Sequence, residues 1–126
     1  MLISRWGPTA AIVIGYNPKV IAMRIEVFFF AGCPNHRPAV ERVNEVLHEM
    51  GLPGDVVEVR ITDPAMANSM GFLGSPTVRV NGLDIEPSAR QRTTFGMMCR
   101  TYVGSGGVPS EDLIRSAITK AATARF

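Results

Sequence analysis

Between Ile25 and Ile61 the hydrophobic period of the chain changes twice, and no other feature constrains the fold as strongly. Ile25, Val27 and Phe28 to Phe30 form a β-favouring apolar run, which predicts a buried strand. Ala39, Val40, Val43, Val46, Leu47 and Met50 follow at three- and four-residue spacing. Glu41, Arg42, Asn44, Glu45 and Glu49 fill the gaps, so this stretch is a helix with one apolar face. Gly51 and then Pro53 stop it. Val57, Val59 and Ile61 alternate with Glu58 and Arg60 as a second strand. Strand, helix and strand this close together form a βαβ unit, in which the strands are parallel and the crossover right-handed.

After this unit the punctuation is regular. Asp63 as N-cap and Pro64 as first residue open a short helix through about Met70. Val78 and Val80 alternate with Thr77 and Arg79 as a third strand. Asn81-Gly82 is a hairpin signal, and a return strand is expected around Leu83 to Ile85. Glu86 to Gly107 carries no clear pattern and reads as a loop or a further edge strand. Pro109 and Ser110 open a last helix, with Glu111 and Asp112 at its positive end and Leu113, Ile114, Ala117, Ile118 and Ala121 on its buried face.

The 126 residues suffice for one domain with a real core. Residues 1–22 read as an N-terminal extension and 23–126 as the domain, because Met23-Arg24-Ile25 runs straight into the first strand. The apolar core Ala10 to Ile14 is short for a signal peptide, and no stretch approaches the ~20 apolar residues of a membrane span. A net charge of +2, with no basic stripe and no interleaved aromatics, argues against a nucleic-acid partner. Cys33 and Cys99 are the two cysteines. They form no disulfide framework and suit a reducing, cytoplasmic setting. No phosphate loop follows Gly104 to Gly107, and the carboxylates Glu58, Asp63, Asp84 and Glu86 are scattered.

The chemistry-bearing residues lie at two junctions. Cys33-Pro34-Asn35-His36 joins the first strand to the first helix. Gly74-Ser75-Pro76-Thr77 precedes the third strand. With Cys99-Arg100-Thr101-Tyr102 near the end, these motifs and the order β-α-β, short helix, β-β, α resemble the thioredoxin-like superfamily. They resemble in particular small bacterial members with a Gly-Cys-Pro-Asn turn, some of which carry an alkylmercury lyase-like label. The likeness spans about Met23 to Ala122.

The resemblance implies an α/β thioredoxin-like fold, a central mixed sheet with helices on both faces. It also implies that Pro76 is cis and lies beside Cys33, with the backbone around Ser75, Pro76 and Thr77 pairing with an extended substrate. A thiol near a helix N-terminus faces unpaired backbone N–H groups, which favour the thiolate. His36 stands where redox members have a second cysteine. It can pair with the Cys33 thiolate or shuttle a proton, but it cannot resolve a disulfide. Pro38 lacks an N–H, so the helix is expected to start at Asn35 or His36, further from Cys33.

The expected activity is that of a monothiol protein. Cys33 is the reacting thiol and His36 its assistant, while Ser75, Pro76 and Thr77 bind the substrate. Cys99 is either a resolving thiol or a buried or half-buried free one. The partner is a protein or a low-molecular-weight thiol, and no cofactor or resident metal is implied. A non-catalytic binding module with the same docking surface is the alternative. So is soft-metal or organomercurial binding, with Cys33, His36 and Cys99 as candidate ligands. His48 is twelve residues along the helix from His36, about 18 Å, and too far to join them. Oligomeric state is not legible in the sequence.

Overall fold

The structure, a computed structural model, describes residues 23–123. The expectation for residues 1–22 lies outside them. The elements are β1 (Ile25–Phe29), α1 (His36–Glu49), β2 (Val56–Arg60), α2 (Pro64–Ser69), β3 (Thr77–Val80), β4 (Leu83–Asp84), a 3-10 turn (Pro87–Ala89) and α3 (Glu111–Thr123). They form an α/β arrangement around one four-stranded mixed sheet, in the order β2-β1-β3-β4. β2 runs parallel to β1, and β3 antiparallel to β1 and to β4.

Successive residues of β1 pack into different clusters, because strand side chains alternate sides. Ile25 and Val27 join Val43, Val46 and Leu47 of α1, Val78 and Val80 of β3, and Ile114 and Ile118 of α3. Phe28 joins Ile61, Phe72 and Ala67 of α2. Val57 departs from the expected inward face of β2 and is 45% exposed. β2 is an edge strand, and the second cluster covers only its far end, at Val59 and Ile61.

Local signals act as their chemistry requires. Asp63 Oδ1 accepts from Met66 N at 2.8 Å, capping α2. Ser110 Oγ accepts from Leu113 N at 3.1 Å and caps α3. Asn81 and Gly82 both take positive φ, +52° and +82°, as the tight hairpin demands. α1 begins at His36 with Asn35 as its N-cap, so Pro38 sits in the first turn, where a missing N–H costs no bond. The return strand is two residues long, and Ile85 continues it with one bond, N to Val78 O at 3.1 Å. From Arg90 to Ser110 the chain is loop, without a further named strand. No helix among the described residues is long and apolar enough to cross a membrane.

Candidate functional site

Strand register decides which loops meet. Phe28 pairs with Thr77 in the antiparallel β1–β3 ladder, so the end of β1 lies at the start of β3. The turn carrying Cys33 and the segment Ser75–Pro76 therefore emerge at the same end of the sheet. Phe30 N donates to the Ser75 hydroxyl at 3.4 Å, and Cys33 N donates to Phe30 O at 3.3 Å. The Ser75–Pro76 peptide bond is cis. Beside this turn lies a cavity of about 250 Å³ lined by Phe30, Ala31, Arg60, Ile61, Thr62 and Met97.

Cys33 is 9% exposed and lies two residues ahead of the Asn35 N-cap. The His36 side chain, expected beside the thiol, has Glu58 and Phe29 as its partners. Its Nε2 donates to Glu58 Oε1 at 2.6 Å, and its ring stacks on Phe29 with centroids 3.6 Å apart. The parallel register explains this, because it sets Glu58 across from Val27, next to Phe29. No hydrogen bond joins the imidazole to the Cys33 thiol among the described residues.

Cys99 is exposed, neither buried nor half-buried as its free-thiol reading held, and both cysteines are free thiols. Cys33, His36 and Cys99 do not form a group of three metal-ligating side chains among the described residues.

Ser75 and Thr77 are fully buried, and their neighbourhood holds what the sequence reading missed. Met98–Arg100 lies alongside Ser75 in parallel-strand register. Ser75 N donates to Met98 O at 2.8 Å, and Arg100 N donates to Ser75 O at 3.0 Å. Within the backbone expected to receive an extended substrate, the N–H and C=O of Ser75 are thus taken by the chain itself. Gly74 permits the approach. Its φ is +114°, and a Cβ there would stand 3.0 Å from Met98 O and 3.1 Å from Arg100 Cβ. Further along, Gly107 passes against the Asn35 side chain, which a Cβ there would displace.

A buried ionic network holds this segment. Arg100, 3% exposed, donates from Nη1 to Asp84 Oδ2 at 2.6 Å and from Nη2 to Asp84 Oδ1 at 2.8 Å. Nη2 also reaches Glu86 Oε1 at 3.1 Å, and Nη1 reaches the Thr77 hydroxyl at 3.2 Å. Thr77 Oγ1 donates in turn to Gly74 O at 2.6 Å. The guanidinium lies 4.4 Å from the Tyr102 ring centre, and the Tyr102 hydroxyl donates to Pro76 O at 2.6 Å. Burial alone would ease the Arg100 proton off, but its hydrogen bonds to the Asp84 and Glu86 carboxylates and the charge of Asp84 hold it on. Burial pushes the Tyr102 phenol above its ordinary value of 10.0, and the nearby Arg100 charge offsets this only in part. The sequence placed Arg100 and Tyr102 in a motif, but the hairpin that brings Asp84 and Glu86 to them is a tertiary event.

No family model, curated protein or solved structure matches this chain. The site's chemistry is therefore read from its own geometry.

Proposed function

We propose that the chain is a thioredoxin-like monothiol protein whose Cys33 forms a mixed disulfide with a low-molecular-weight thiol. The carrying observation is the β1–β3 register, which sets the Cys33 turn and the Ser75–Pro76 segment at one end of the sheet, beside a cavity. Support for the fold reading comes from the element order and from Phe28 and Val27 packing against different helices. A small thiol is favoured over an extended peptide because Met98 and Arg100 already pair with Ser75.

In the reaction, the Cys33 thiolate attacks one sulfur of a small disulfide such as glutathione disulfide. A new S–S bond forms to Cys33 while the old one breaks. The departing sulfur keeps the bonding electrons and takes up a proton, so Cys33 is oxidised and one free thiol is released. With His36 in the place of a second cysteine, the motif itself cannot resolve the adduct.

The test uses the full chain as Cys99→Ser, treated with glutathione disulfide and read by intact mass. One reductant-reversible glutathione adduct that disappears in the Cys33→Ser, Cys99→Ser double variant is expected. A folded Cys99→Ser chain that forms no adduct overturns the proposal and leaves a non-catalytic binding module.

A further inference from the structure

Beside the β3–β4 hairpin, a cavity of about 220 Å³ counts three arginines in its lining, Arg79, Arg90 and Arg92. The carboxylate in its lining, Asp84, gives both oxygens to Arg100. Asp84 therefore forms no ion pair with these three arginines, and Glu86, the partner of Arg92, is shared with Arg100. Each arginine is nonetheless held in place. Arg79 Nη2 donates to Met70 O at 2.8 Å and Gly71 O at 2.9 Å. Arg90 Nε donates to Asp84 O at 2.8 Å, and Arg92 Nη2 reaches Glu86 Oε1 at 3.4 Å. A guanidinium has five N–H donors. Both terminal nitrogens of Arg90, and Nε and Nη1 of Arg92, carry no hydrogen bond among the described residues. Burial shifts Arg79 below its ordinary value despite Asp84 and Glu26 nearby, as an under-compensated cation should behave. Leu83 and Phe95 add apolar walls.

We propose that this cavity binds a small organic carboxylate, its two oxygens on Arg90 and Arg92 and its apolar body against Leu83 and Phe95. A planar carboxylate matches the guanidinium fork in a way a lone halide does not. The size limits the ligand, since drug-sized molecules occupy pockets of roughly 300–1,000 Å³. The site uses no property of Cys33, so it stands or falls separately from the thiol chemistry.

The experiment titrates the isotope-labelled full chain with sodium benzoate at constant ionic strength and follows the backbone amides. Saturable shifts at Gly71, Gly82, Leu83 and Phe95 are expected. Arg90→Gln and Arg92→Gln should each weaken binding by roughly tenfold or more, the loss of a charge-assisted hydrogen bond. Arg37→Gln, on exposed α1 surface outside the cavity, should bind as the parent does. Inorganic phosphate, with the charge but not the apolar body, should bind more weakly. No saturable shift, or the same loss in all three variants, overturns the site. Phosphate binding as tight as benzoate overturns the apolar half of the assignment.

Discussion

The two thiols differ most in access. Cys33 is buried within the turn that follows β1, whereas Cys99 is exposed on the loop beside Ser75. Reaction with a bulky thiol reagent depends on exposure as well as on thiolate character. Native labelling with an aromatic disulfide is therefore expected in two phases, and Cys99→Ser should remove the fast one. A fast phase that survives in Cys99→Ser and vanishes in Cys33→Ser would reverse this order. His36 belongs to the same scale. Bound to Glu58 and stacked on Phe29, it ties the first turn of α1 to β2.

Among the elements, the decisive one is not a regular strand. Met98–Arg100 adds a one-residue parallel bridge at Ser75, and the buried Arg100 network ties the segment to Asp84 and Glu86. Removing the cation alone leaves Asp84 buried without its ion-pair partner and Glu86 with only the Arg92 contact at 3.4 Å. Breaking one partner of a buried pair typically costs about 3–5 kcal/mol. Arg100→Met should lose about that much stability in chemical denaturation. In the folded fraction the Ser75 amide should exchange with solvent faster than in the parent. A loss under about 1 kcal/mol would mean that the network contributes little, as exposed pairs do.

At the scale of the whole molecule, Tyr102 joins the core cluster, the ionic network and Pro76. Its raised phenol value has a definite sign. Above pH 10.0 the unfolded chain has lost this proton while the folded chain keeps it, so stability is full below that pH and falls above it. The slope approaches about 1.4 kcal/mol per pH unit from this one group. Urea midpoints measured from pH 8 to 11 should fall more steeply for the parent than for Tyr102→Phe. Parallel curves for the two would show that the phenol is not held in this way.

Signals confined to neighbouring residues were legible from the sequence. The periods of β1 and α1, the Asp63 cap, the Asn81-Gly82 turn and the α3 opening each depend on side chains within a few positions of one another. Such short-range terms act before any tertiary contact forms. The parallel β1–β2 pair followed too, since the helix between those strands leaves room for little else. The partners of the chemical groups were not legible. His36 faces Glu58 across 22 residues, and Arg100 meets Asp84 across 16. Ser75 receives Met98 and Arg100 from a loop with no hydrophobic period. The sequence alone determined the elements and the place of the Cys33 turn between them. Only the tertiary structure decided what surrounds that thiol, because hydrogen bonds and ion pairs follow distance in space, and strand register sets that distance.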